Sequence, residues 1–290
     1  MPCIRGFDHG RRTEPYPAVG IGPVLSRRAV LRTAAAGAVG VLAGAVGARE
    51  IPHRLGLDRP PVAGGYAAAA DVLDSVRHAS VAVRYYVETT EPLVAFTFDD
   101  GPAPHWTPMV LDALDAAGVP ATFFMVGSQL ERNADLVRGR MDRHAIGNHT
   151  WAHDDLATLD LNGVLRSLQR TEDEIKRQFG RPVSLLRPPF GHIGGSTLLA
   201  ADRMGYDVVL WSKAMREKMY HNDPAGQALD IVESVRPGSI ILAHDEGDDR
   251  RLVTIRGLAA MFDGLRKRGF RMVTVPELIA SATAAGSGKQ

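Results

Sequence analysis

Seven short apolar runs punctuate the chain, near residues 93–98, 121–126, 144–148, 183–187, 207–212, 239–243 and 270–275. Runs of this length, bounded by turn residues, read as buried strands. Between them lie longer segments, near 107–117, 128–140, 161–179, 196–204, 225–235, 251–268 and 276–284, that read as helices. Strand and helix in alternation mean βα units on a parallel sheet. About seven such units close into a barrel whose strand ends share one face. A core of about two hundred residues fits one domain, and no repeat of solenoid period is present.

The chemistry-bearing residues fall at strand ends. Leu93-Val94-Ala95-Phe96-Thr97-Phe98 runs into two adjacent carboxylates, Asp99 and Asp100, and Gly101-Pro102 stops the strand at once. Adjacent residues leaving a strand point to different sides, so one carboxylate can bind a metal while its neighbour faces a substrate. His149 and His153, in His149-Thr150-Trp151-Ala152-His153, can converge on one metal if the segment makes a helical turn, with Asp100 as the candidate carboxylate. In Arg187-Pro188-Pro189-Phe190-Gly191 the paired prolines fix an extended turn that projects Arg187. The N–H groups after Pro189 are then free to face an oxyanion. A fourth strand, Ser239-Ile240-Ile241-Leu242-Ala243, ends in His244-Asp245.

Together these clusters resemble the polysaccharide deacetylases of the NodB-homology type, carbohydrate esterase family 4. Thr97-Phe98-Asp99-Asp100-Gly101-Pro102 matches the first family motif, His149-Thr150-Trp151-Ala152-His153 the second, Arg187-Pro188-Pro189-Phe190-Gly191 the third and Leu242-Ala243-His244 the fifth. The resemblance covers roughly Glu91 to Ile279 and implies an α/β fold, a distorted (β/α)7-type barrel. It implies Asp99 as general base, with Asp100, His149 and His153 as ligands of a divalent metal ion, zinc or a similar transition ion. It further implies that Arg187 holds Asp99, Thr150 steadies the metal loop, His244 is the general acid and Leu242 lines an acetyl pocket. Pro189 and Phe190 belong to the third-motif turn, whose N–H near Phe190 would hold the oxyanion, and Trp211, with Trp106 and Trp151, is a candidate sugar platform.

The fourth motif departs from the family pattern. Tyr206-Asp207-Val208-Val209-Leu210-Trp211-Ser212 supplies its strand, but Lys213-Ala214-Met215-Arg216-Glu217-Lys218 follows, with Glu217 at about the register of the usual Asp and Lys218 where a Trp is usual. A carboxylate beside His244 would favour its protonated form. Glu217 and Asp245 are both candidates, and Lys213, Arg216 or Lys218 can instead claim Glu217 as a surface ion pair.

Ser26-Arg27-Arg28-Ala29-Val30-Leu31-Arg32 precedes an uncharged Ala/Gly/Val run from Thr33 to Ala48, the layout of a twin-arginine signal. The run is too short and too weakly apolar for a convincing membrane span. Val46-Gly47-Ala48 offers a cleavage site, with an uncleaved signal anchor as the competing reading. The expected organisation is a signal peptide at 1–48, a linker and pre-domain segment at 49–90, the deacetylase domain at 91–280 and a flexible tail at 281–290. Cys3, the only cysteine, lies upstream of the cleavage site, so a cleaved chain has neither disulfide nor thiolate ligand.

Residues 1–48 hold six Arg and two acids, so their removal takes the formal charge from +1 to −3. That balance argues against nucleic-acid binding, and no stable protein partner is evident. Two readings of function stand. One is an exported deacetylase of an acetylated polysaccharide, peptidoglycan or a chitin-like oligomer, acting on N-acetyl or O-acetyl groups, either secreted, held at the cell wall or anchored in the membrane. The other is a catalytically impaired carbohydrate-binding relative that keeps the metal cluster. Replacing both Arg27 and Arg28 with Lys is expected to leave a cytoplasmic precursor on fractionation; unchanged export would refute the twin-arginine assignment.

Overall fold

The computed structural model describes residues 80–286, with side chains to 282. The expected signal segment, residues 49–79 and residues 287–290 lie outside the described residues. Among the described residues nine strands form one sheet: β1 (Val83–Arg84), β2 (Leu93–Asp99), β3 (Thr122–Met125), β4 (Ala145–Asn148), β5 (Leu185–Leu186), β6 (Asp207–Val209), β7 (Lys213–Ala214), β8 (Ser239–His244) and β9 (Arg271–Met272). The helices are α1 (Trp106–Ala117), α2 (Gly127–Asn133), α3 (Leu161–Phe179), α4 (Gly195–Met204), α5 (Pro224–Ser234), α6 (Leu252–Lys267) and α7 (Val275–Gly286).

All ladder pairings are parallel, in the order β1-β6-β5-β4-β3-β2-β8-β7. β9 pairs with the lower part of β2, at Leu93 and Val94. A Tyr86–Ser239 bridge and a hydrogen bond from the Val87 N–H to the Gly238 carbonyl oxygen link the segment after β1 to the start of β8. The sheet therefore curls into the expected distorted parallel barrel. That contact requires Gly238, at φ 83°, because a Cβ there would lie 1.7 Å from the Val87 carbonyl oxygen.

The period-2 alternation of β2 sorts its side chains. Val94, Phe96 and Phe98 pack outward into the layer beneath the helices with Leu111, Leu114 and Phe262, and Ala95 joins the inner core with Phe124, Leu185, Val209 and Ile240. The inner set continues upward through Thr97 to Asp99, so the barrel interior turns polar toward its C-terminal mouth.

β1 lies upstream of Glu91, and α7 covers the helix expected near 276–284. β1 and β7 are two-residue strands without an apolar run to announce them. The helix expected over 128–140 stops at Asn133, whose side-chain amide donates to the Pro102 carbonyl oxygen, and a 3-10 turn follows. β5 shrinks to two residues between Pro182 and Pro188, neither of which has an N–H for the ladder. The strand over 270–275 likewise shrinks to two, with Val275 opening the last helix.

Candidate active site

Arg187 follows β5 directly and is completely buried inside the barrel mouth. Its Nη1 donates to Asp99 Oδ1 at 2.8 Å and to Thr97 Oγ1 at 2.6 Å. Nε and Nη2 donate to the carbonyl oxygens of Val209 and Leu210, at 3.0 and 2.9 Å. The guanidinium also lies 4.1 Å from the Phe124 ring centroid. Burial lowers the Arg187 pKa, and the charge and hydrogen bond of Asp99 oppose that shift. Arg187 thus holds Asp99 Oδ1, leaving Asp99 Oδ2 to face His149 Nε2 at 3.9 Å.

The main chain of Arg187 does a second job. Its carbonyl oxygen lies 2.6 Å from His149 Nδ1, and a carbonyl only accepts, so Nδ1 carries a proton and the ring turns Nε2 toward the site. That nitrogen is 3.3 Å from Asp100 Oδ1, and His153 Nε2 is 3.1 Å from the same oxygen. One donor atom from each of Asp100, His149 and His153 lies within 4.8 Å of the others. Electron pairs converging this closely need a proton or a cation between them, and a carboxylate with two imidazoles is the donor set of a divalent transition-ion site. The residues fit such an ion. Burial works to raise the Asp100 pKa, and hydrogen bonds from His149 and His153, with the charges of His149 and His244, outweigh it, holding the carboxyl below the ordinary range.

The imidazoles converge through a loop and not through the helical turn anticipated above. Asp100, Thr150 and His153 all adopt left-handed backbone, at φ 80°, 68° and 58°. Such conformations cost of order 1–3 kcal/mol each in non-glycine residues and collect at functional sites. Thr150 is pinned on both sides: its N–H donates to Asn148 Oδ1, and its Oγ1 accepts from the Asp154 N–H, both at 2.9 Å.

Above this floor sits a pocket of about 150 Å³ lined by Asp99, Asp100, His149, His153, Pro188, Phe190, Trp211, Leu242, His244 and Arg251. Pro189 is buried and does not line it; Pro188 takes that place. The N–H groups of Gly191 and His192 close the turn on the carbonyl oxygens of Pro188 and Pro189, and the Phe190 N–H takes no part in those two bonds. The Phe190 ring is 60 % exposed and 4.7 Å from the His153 ring. Trp211 alone of the three tryptophans reaches the pocket: Trp151 stacks on Arg170, and Trp106 packs on the core.

His244, at the end of β8, turns Nδ1 toward Glu217 Oε1 at 3.7 Å. That is an ion-pair distance, longer than a hydrogen bond, and neither buried atom has a hydrogen-bond partner among the described residues. Burial works to raise the Glu217 pKa; His244 and the field of Arg251 more than offset it, and the net shift is downward. Asp245 points elsewhere. Its carboxyl accepts from Thr107 Oγ1 at 2.6 Å and the Gly101 N–H at 3.2 Å, and burial, reinforced by the charges of Asp100 and Asp99, pushes its pKa up to about 7. Glu217, not Asp245, is therefore the acid beside His244. Sequence reasoning missed Arg251, whose Nη1 donates to Asp100 Oδ2 at 3.0 Å. It sits 151 residues from that partner, and no local pattern marks it.

A curled parallel sheet with acid, base and ligand-type side chains gathered at its strand ends defines an α/β-barrel enzyme. The family model described as polysaccharide deacetylase matches residues 86–209. A peptidoglycan-N-acetylglucosamine deacetylase from Bacillus cereus is 38 % identical over 212 residues, covering 68 % of this chain and 92 % of the relative. A chitooligosaccharide deacetylase from Sinorhizobium fredii is 33 % identical over 202 residues, covering 65 % and 93 %. Among solved structures, a family 4 carbohydrate esterase from Bacillus anthracis superposes with a TM-score of 0.58 at 30 % identity, over 73 % of this chain and 91 % of that one. The chain belongs to the polysaccharide deacetylase family.

Changing Asp100, His149 or His153 to Ala, one at a time, is expected to lower zinc affinity by at least on the order of tenfold, the loss typical of even an outer-shell partner. Metal analysis of the purified variants checks it, and full occupancy in all three would remove the site.

Proposed function

We propose that this chain is an exported, metal-dependent deacetylase that hydrolyses N-acetyl groups of a cell-wall or related glycan, with O-acetyl esters as a second substrate class. The observation that carries the reading is the convergence, in one pocket, of a buried Arg-held carboxylate, an Asp-His-His donor set and a Glu-paired histidine. The relatives named for peptidoglycan and chitooligosaccharide deacetylation support an acetylated polysaccharide as substrate. The twin-arginine pattern supports export.

Asp100, His149 and His153 would hold a divalent ion, with zinc as the ion best suited to this mix of nitrogen and oxygen donors. When bound, such an ion lowers the pKa of a water molecule and polarises the acetyl carbonyl. Asp99 accepts the water's proton at Oδ2, the oxygen that Arg187 leaves free of its hydrogen bond. Arg187, by its hydrogen bond, fixes where that oxygen points. The Phe190 N–H, outside the two hydrogen bonds that close its turn, is the protein's own donor for the developing oxyanion. Leu242 and Trp211 give the pocket an apolar wall for the acetyl methyl. His244, its Nδ1 turned toward Glu217, offers Nε2 to protonate the departing amine or alcohol.

Two variants test this division of labour on acetylated chitooligosaccharides and peptidoglycan, with acetate release as the readout. Asp99→Asn keeps shape and an acceptor for Arg187 but not a proton acceptor of useful basicity; turnover should fall by about 10²–10⁴-fold with metal content retained. Loss of metal instead would mean that the two acids have been assigned the wrong way round. Glu217→Gln removes a charge that stays ionised throughout the working range, because its pKa is held down. The imidazole then loses its counter-charge, so the alkaline limb of the rate profile should move to lower pH with metal affinity unchanged. An unmoved limb would detach Glu217 from the mechanism.

A further inference from the structure

Arg251 is the only Arg or Lys among the residues lining the catalytic pocket. It closes the 3-10 turn Asp249–Arg251 that leads into α6. From there Nη1 donates to Asp100 Oδ2 at 3.0 Å and to the Glu246 carbonyl oxygen. The two oxygens of Asp100 therefore have different partners: Oδ1 faces the two imidazole nitrogens, and Oδ2 faces a guanidinium.

The loop is shaped around that guanidinium. Gly247 sits at φ 132°, and a Cβ there would come 2.7 Å from Arg251 Cδ, 2.8 Å from Nε and 3.0 Å from Cζ. The space a side chain would fill is occupied by Arg251. Asp248, the nearest acid along the loop, is taken by Arg250, whose N–H and guanidinium both bond its carboxylate. Glu246 Oε2 stays 4.0 Å away, so Asp100 is the carboxylate within hydrogen-bond reach of Arg251.

We infer that Arg251 is a positioning residue that restricts Asp100 to one donor oxygen, Oδ1, toward the divalent ion; the inference rests on the metal reading above. A carboxylate can offer a cation one oxygen or two. Two oxygens take up a coordination position that a hydrolytic site keeps open for water and substrate. A guanidinium on Oδ2 blocks the second mode, and its charge opposes a neighbouring cation. The wall thus gives up metal affinity and keeps an open position. Freed from Arg251, Asp100 can close on the ion with both oxygens, so binding should tighten while turnover slows.

The test uses the full chain and zinc alone as probe. Zinc affinity is read by competition with a chromophoric chelator, beside kcat and KM on acetylated chitooligosaccharides and the melting temperature. Arg251→Met keeps the stem and removes the charge; zinc should bind about tenfold tighter, and kcat should fall by about tenfold at similar KM, the scale of outer-shell effects. Arg251→Lys should recover part of both changes. Gly247→Ala, which displaces the guanidinium without removing it, should move affinity and kcat in the same directions and serves as the test should Arg251→Met not fold. Unchanged or weaker zinc binding would overturn the inference, because a purely supporting residue loosens a site when lost. A rise in KM alone would also overturn it and make Arg251 a substrate contact. A parent chain that binds no divalent ion would overturn the metal reading itself.

Discussion

A whole guanidinium buried in the mouth of the barrel is the constraint on which this site is built. Removing such a charge from water is costly unless its donors are matched, and deleting one partner of a buried pair typically costs 3–5 kcal/mol. Arg187 is matched by Asp99, Thr97 and the carbonyl oxygens of Val209 and Leu210. Those two carbonyls are available because the chain leaves β6 at Val209 and crosses to β7, so the strand break that lets the sheet curl also supplies acceptors. Asp99 and Thr97 are available because alternation along β2 points them inward. The same residue's carbonyl oxygen fixes the His149 ring. A change at Arg187 would reach Asp99, His149 and the barrel wall together.

Around that fixed centre, the ligand loops are held in conformations that the chain would not choose locally. Asp100 leaves β2 in left-handed backbone, and Gly101 behind it has no room for a Cβ, which would meet the Asp245 carboxyl at 2.1–2.5 Å. Asp245 ties the end of β8 to that turn, because its own N–H donates to the Asp99 carbonyl oxygen at 3.1 Å while its side chain accepts from the Gly101 N–H. Register does the rest. Asp99 lies level with His244 across the β2–β8 ladder, so the groups read as base and acid are set by backbone pairing and not by loop flexibility.

Much of this was legible in the chain, for reasons that can be traced. α3 runs Leu161–Phe179 as the pattern indicates because Asp160 caps its N-terminus through the Gly163 N–H and Gly180 ends it in left-handed backbone. The strand ends were legible because acids, histidines and prolines interrupt apolar runs abruptly at Asp99, His149, Arg187 and His244. What stayed hidden depends on long-range pairing. β1 and β7 exist only through their neighbours, at Val83–Val208 and Lys213–Ile241, and two residues carry no period. The path that brings His149 and His153 together is a strained loop, a conformation that residue spacing does not encode. Arg251 and Asp100 meet only after the barrel has curled.

The altered fourth motif shows how such hidden pairing decides a local question. By sequence alone, the cations around Glu217 compete with His244 for its carboxylate. In the fold, Lys213 and Arg216 are both drawn to Asp230 on α5, with Lys213 Nζ at 3.0 Å and Arg216 Nη2 at 2.6 Å from the same oxygen. β7 pairs with β8 at Ala214 and Leu242, which carries the chain past His244, and Glu217 emerges three residues later with its Oε1 buried. Asp230 does not line the pocket, yet by holding the competing charges it leaves Glu217 facing the imidazole. The extra methylene of Glu relative to Asp is therefore accommodated by where β7 ends. The departure at the fourth motif changes the acid from Asp to Glu, while a carboxylate beside the histidine is kept.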